Sequence, residues 1–321
     1  MSTLADTVER GSPDELLRVV DHLCKDESWN DLVELKDRCL HALDMGKQLW
    51  AVAEHIDYRL ALEAPGRWAG PVVVVGAGKF TIGPLAEVAA SAHTWDELEP
   101  YLSEGPARSV VAQERAVRGE DLRGAIDDTL LEIPLRLEPW EPSYPVATYH
   151  HRSAEFPPPD LPAMPEITLP SASDPLDDPD SLEALGALTT PWTEESNGRC
   201  DTIAVQGTAP MALAALGLRR ARIAEITPKL GLGTMAWAAA SGGAHGRRRG
   251  AAAGRLAAWW TIATLTDTEW PSDPTLLGER ARRLHWYAWS DLFPPTGWTL
   301  HLAVEDPDEG LAWAIAAIDA T

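Results

Sequence analysis

The sequence predicts a helix-rich α+β fold, with an N-terminal helical region and C-terminal helices around a small sheet. Three observations carry this expectation. Residues 12–62 repeat apolar side chains at helical spacing behind a helix-start signal. The segment GWTLHLAV places Trp298, Leu300, Leu302 and Val304 on one face, the period of a half-buried strand. Hydrophobic residues make up 45% of the 321-residue chain, enough to fill a core.

In chain order, SPDELLRVVDHL offers Ser12 as N-cap, Pro13 in the first turn and Glu15 three residues after the cap. Leu16, Val19, Val20 and Leu23 then form its apolar stripe, and further helices are expected over 32–45 and 49–62. The β-branched run at residues 72–75 reads as a short buried strand. Pro84 opens a helix through Ala92, and Thr94 with Glu97 starts another through a capping box. LEIPLRLEPW and YPVATYHHRSAEF have strand-like composition broken by prolines, which suits edges and bulges. Residues 156–197 are rich in proline and acid and lack an apolar period, the character of a connector or a surface excursion. The expected division is therefore a mainly helical region over 1–155, a connector over 156–197 and a C-terminal α/β domain over 198–321.

Within the last part, TAPMALAALGLRRARIAEI is expected to be helical in its first half. GRLAAWWTIATL sets Leu256, Trp259, Trp260 and Ala263 on one helical face, and LLGERARRLHWYAWSDLF reads as the next helix. After the strand at 297–304, Asp306, Pro307 and Glu309 supply cap, first-turn proline and capping-box acid for a final helix. Its buried stripe would be Leu311, Ala314, Ile315 and Ile318.

The net charge of −22 is uneven. Residues 1–150 hold 27 acidic against 14 basic groups, and residues 151–200 hold 10 against 2. Residues 201–283 reverse this, with 11 basic against 6 acidic groups. Nucleic-acid binding by the whole chain is disfavoured, since phosphate contacts need an excess of positive charge, but a local anion site within 201–283 is allowed. Three widely spaced cysteines, an acidic polar start and the lack of an 18-residue apolar run point to a reduced, cytoplasmic protein without a membrane span.

Most catalytic signatures fail. Gly76 and Gly78 precede Lys79, but Phe80 follows where a phosphate-binding loop needs Ser or Thr, and Val73 stands where it needs glycine. Those glycines read as a tight turn. His150, His151 and Glu155 cannot converge on one metal if the adjacent histidines point to opposite faces of a strand. No nucleophile elbow, HExxH or SxxK is present, so no catalytic residue, metal or cofactor is assigned.

The remaining candidate is ASGGAHGRRRGAAAGRLAAWW. Glycine breaks one helix there and a second restarts near Arg247 or Gly250, placing arginines at the positive end of a helix dipole. Free N–H groups and guanidinium forks are a recipe for holding an anion. The candidate binding residues are Gly242, Gly243, His245, Gly246, Arg247, Arg248, Arg249 and Arg255. Their leading partner is an acidic protein surface: the chain's own linker with Asp174, Asp177, Asp178 and Asp180, another subunit, or a separate protein. The alternative is a phosphorylated small molecule or nucleotide, clamped by the same loop in an enzyme or sensor. Eight of the 14 tryptophans fall between Trp237 and Trp313. Core packing is expected for most, with Trp286 or Trp289 exposed, although aromatics beside arginines can also stack a base or sugar.

Residues 240–265 resemble a glycine-rich segment in an uncharacterised family of actinobacterial proteins, a domain of unknown function. The resemblance implies a bacterial, soluble protein and carries no activity and no site residues.

Overall fold

The computed structural model describes residues 7–9, 12–126, 130–293 and 296–320, and its architecture is helix-rich α+β. The chain forms two compact units. One comprises residues 1–115, 124–130 and 147–155; the other comprises 116–123, 131–146 and 156–321.

In the first unit, α1 (Pro13–Lys25), α2 (Trp29–Asp44) and α3 (Trp50–Glu63) pack together as the sequence predicts. The Ser12 side chain accepts from the Glu15 N–H at 3.4 Å, and Leu16, Val20 and Cys24 turn inward. α3 is the centre of this layer, with Ile56, Tyr58, Leu60 and Ala61 buried. α4 (Gly66–Val72), α5 (Leu85–Ala92), α6 (Trp95–Leu98) and α7 (Pro106–Val117) follow, the last crossing into the second unit. The Thr94–Glu97 capping box forms. β1 (Thr148–His150) and β2 (Ser153–Glu155) make a two-stranded hairpin. It is tied down by Tyr58, whose hydroxyl donates to the His150 carbonyl at 2.5 Å, and by Tyr149, which donates to Glu87 at 2.7 Å.

The strand expected at residues 72–75 does not form. Val72 ends α4, and Val74 and Val75 are exposed in the turn before Gly76 and Gly78, both at positive φ. Four β-branched residues make a strand only where a neighbour offers a ladder. Here Gly66 and Gly70 instead press a short helix against the backbone and side chain of residues 97–101.

The second unit is built on a six-stranded sheet in the order β3-β5-β6-β7-β8-β4. Its strands are β3 (Glu166–Thr168), β4 (Arg199–Gln206), β5 (Arg220–Ile226), β6 (His285–Ser290), β7 (Trp298–Asp306) and β8 (Leu311–Asp319), and every pairing is antiparallel. One face carries Trp286, Ala288, Leu300, Leu302, Val304, Trp313 and Ile315 against α8 (Pro179–Ala187), α11 (Pro228–Ala240) and α12 (Ala251–Leu265). The other carries Ile223, Trp289, Ala303, Ala312 and Ala314 against α10 (Ala209–Ala215). The short helices α9 (Thr190–Glu194) and α13 (Pro274–Arg283) complete the unit. Segment 156–197 supplies β3, α8 and α9, and Trp192 within it is fully buried.

Two expected helices are corrected. Only Pro274–Arg283 of the arginine-rich segment is helical, and HWYAWS continues as β6. The final helix is a strand: β8 pairs with β7 and β4 along its length. Its capping residues serve a turn instead. The Asp306 carboxylate accepts from the N–H groups of Asp308 and Glu309, Gly310 takes φ +66°, and Leu311 pairs back onto Asp306. A strand covered on both faces needs no polar alternation, so LAWAIAAI carries no period that separates it from a buried helix.

Candidate functional site

Two residues decide how the glycine–arginine loop is held. Asp319, at the end of β8, is fully buried; its carboxylate accepts from the Ala244 N–H at 2.6 Å and the Ser196 hydroxyl at 2.9 Å. Glu195 accepts from the Arg247 N–H at 2.8 Å. The free N–H groups expected of the loop are therefore answered in part by acids of the same chain. Gly243 sits at φ +65°, and a Cβ there would lie 2.2 Å from the Asp319 carboxylate and 2.9 Å from the Trp192 ring. At Gly242 a Cβ would meet the Gly246 carbonyl at 2.0 Å. These glycines are needed because the loop folds onto itself and onto β8. Below it, the Trp192 indole donates to the Ser241 hydroxyl at 2.8 Å.

The arginines separate into three environments. Arg247 and Arg249 are exposed, as is His245, while the Arg249 N–H is bonded to the Ala240 carbonyl at 2.9 Å. Arg248 is half-buried, its guanidinium 3.6 Å from the centre of the Phe156 ring. Gly250, at φ +97°, is the N-cap of α12.

Arg255 does not join the others. It is fully buried and pairs through two nitrogens with Glu141, Nε at 2.7 Å and Nη2 at 2.8 Å. Its remaining donors reach the carbonyls of Pro134 and Arg136, both at 2.7 Å. Trp259 and Tyr144 also donate to Glu141, each at 2.7 Å. Burial would lower the Arg255 pKa, but Glu141 overrides it, and the group is held charged. A guanidinium with every direction committed inside the core has no part in a surface clamp. Arg255 follows Arg248 at helical spacing in sequence, but α12 begins only at Ala251, so the two never share a helix face.

Arg248 leads to a second feature. Phe156 stacks on Trp237 (centroids 6.2 Å apart, planes 23° apart), and Trp237 stacks on Trp298 (5.1 Å, 18°). Trp192 meets both tryptophans edge-on. This ladder lines a cleft of about 450 Å³ at the end of the sheet where β6 leaves and β7 enters. Trp289 and His301 line it too, with rings parallel and 4.0 Å apart. The volume falls within the range of small-molecule sites, which are mostly apolar with a few placed polar groups.

Tryptophan exposure also departs from expectation. Trp286 and Trp289 are 1% and 3% exposed, whereas Trp260 is 45% exposed. Trp286 and Trp289 lie on the same strand, β6, and face opposite sides of a doubly covered sheet, so both are enclosed; Trp260 is on the outer side of α12 and stacks edge-on against Trp270. The cleft residues Phe156, Trp237, Trp289, Trp298, Thr299 and His301 are not legible as a set, because they come from four separated stretches of chain. Their signal was the density of tryptophan beside the arginines.

His150 and Glu155 approach to 3.8 Å across the β1–β2 hairpin, and His151 is exposed. Among the described residues, no three His, Cys, Asp or Glu side chains converge as a metal site would require, and no helix is long and apolar enough to cross a membrane.

No curated protein and no solved structure matches the chain. The described Family of unknown function (DUF6183) matches residues 14–321, and the chain belongs to that family.

Proposed function

We propose that this chain is a binding protein whose aromatic cleft receives a small molecule bearing a planar ring. The single observation that carries this reading is the ladder Phe156–Trp237–Trp298 along the cleft wall. Stacking on an aromatic face contributes about 1–3 kcal/mol per ring in comparable sites. The glycine–arginine loop then has a mechanical task. Its acidic partners include Glu195 and Asp319 of the same chain, and with the loop so fixed Arg248 caps Phe156.

A second reading is supported by the exposure of Arg247 and Arg249 beside a strongly acidic remainder. These two side chains would engage an acidic surface on a second subunit or a separate protein, or the phosphate of a ligand. Free Cys24, Cys39 and Cys200 support placing the protein in the cytoplasm.

Thermal unfolding with uncharged planar ring compounds tests the first reading. A ligand at 100 times its Kd raises stability by about 2.7 kcal/mol. The cleft reading expects a raised midpoint in wild type that Trp298→Ala abolishes. A midpoint raised only by inorganic phosphate, and lost in Arg247→Ala/Arg249→Ala, would favour the second.

A further inference from the structure

The cleft has a polar pole as well as an aromatic wall. Trp289 and Thr299 both line it, and the indole Nε1 of the first and the hydroxyl of the second are buried with no hydrogen-bond partner among the described residues. Two such atoms in one cleft wall are unusual, because buried polar groups are almost always paired and an unmade bond is costly. The indole N–H is a donor only, whereas the hydroxyl can donate or accept. His301 stands beside them, stacked on Trp289. Burial pushes its imidazole down to about 4, so at neutral pH it is an uncharged ring that adds no positive charge.

The charges around the cleft are also informative. Asp160 and Asp291 line it, and among the described residues no lysine or arginine does. Arg248 lies over the Phe156 ring, 3.6 Å from its centre, and is not among the lining residues. An anion inside would face two carboxylates without a cation in the lining.

Resting on the cleft being the ligand site, we infer that it selects an uncharged planar heterocycle carrying a hydrogen-bond acceptor, a ring carbonyl or ring nitrogen, that meets Trp289 Nε1–H and the Thr299 hydroxyl. The ring body stacks on the Trp237–Trp298 wall, and the acceptor fixes its orientation. Selectivity of this kind is sharper than shape alone, since a ring lacking the acceptor leaves both protein groups unpaired.

The test is calorimetric titration with four bicyclic probes: indole, which has no acceptor on its ring edge; quinazolin-4-one, uncharged with acceptors; 1-naphthoate, negatively charged; and 1-naphthylmethylammonium, positively charged. Quinazolin-4-one is expected to bind wild type about tenfold more tightly than indole, and more tightly than either charged probe. Thr299→Val, which keeps the side-chain shape, and Trp289→Phe, which keeps a ring, should each cut that preference by about three- to tenfold. Indole affinity should fall by less than quinazolin-4-one affinity in both variants, and an unaltered thermal midpoint reports that each variant is folded. Equal binding of indole and quinazolin-4-one, insensitive to Thr299→Val, would overturn the inference and leave the ring-binding reading standing. Tightest binding by a charged probe would overturn it as well. Binding of none of the four would overturn both.

Discussion

Arg255 and Glu141 form a fully buried ion pair closed by two parallel hydrogen bonds, and Trp259 and Tyr144 donate to the same carboxylate. Such a pair adds little net stability over a well-packed apolar one, because both charges leave water. Breaking it is another matter. Glu141→Gln leaves a buried guanidinium without its counter-charge and is expected to cost about 3–5 kcal/mol. Urea unfolding checks this; a loss below about 1 kcal/mol would mean the network is solvated.

Arg248 is expected to behave differently from its neighbour in the motif. Arg248→Ala removes a guanidinium stacked on Phe156 and should cost about 0.5–1 kcal/mol of stability, as cation–π contacts at partly exposed sites do. Lys in its place should recover less than the full amount, since the planar guanidinium stacks on a ring and an ammonium does not. The same unfolding series measures both.

The loop depends on Asp319 and on the glycine beside it. Asp319→Ala strands the Ala244 N–H and is expected to cost about 1–3 kcal/mol. Gly243→Ala places a side chain at positive φ against Asp319 and Trp192, and should lose more than about 1 kcal/mol. Hydrogen exchange would locate the effect: faster exchange at residues 242–250, with the β7–β8 ladder unchanged.

His301 sets a pH dependence with a definite sign. Burial lowers its folded-state pKa to about 4, below the unfolded value of about 6.5. The unfolded chain therefore takes up the proton first, and stability falls as pH drops from about 6.5 to about 4. The loss attributable to this group is at most about 3 kcal/mol. His301→Gln should have a shallower stability profile than wild type in that window. Parallel profiles would show that His301 is solvated in the folded protein.

Much of the fold was legible where local chemistry and long-range packing agree. Ser12 with Glu15 and Thr94 with Glu97 mark their helices because a cap is satisfied by groups three residues away. Trp298 to Val304 declares a strand by alternation that survives in the sheet. Where they disagree, the long-range term wins. Asp306 makes the same hydrogen bonds in a hairpin turn that it would make as a helix cap, and only pairing with β4 and β7 decides the outcome. The loop at 242–250 was visible as a feature, but its acids were not: Glu195 and Asp319 are 52 and 75 residues away from the backbone groups they bind. Helical spacing groups Arg255 with Arg248, and its burial against Glu141, 114 residues away, cannot be read from that spacing.

The central claim is that the aromatic cleft of the second unit holds a planar ligand, and the most direct measurement is of the tryptophan indole N–H resonances during titration with quinazolin-4-one. The account predicts saturable shifts for Trp237, Trp289 and Trp298, with Trp95 in the first unit unmoved. Shifts confined to Trp260 and Trp270, or no saturable shift at any tryptophan, would contradict it.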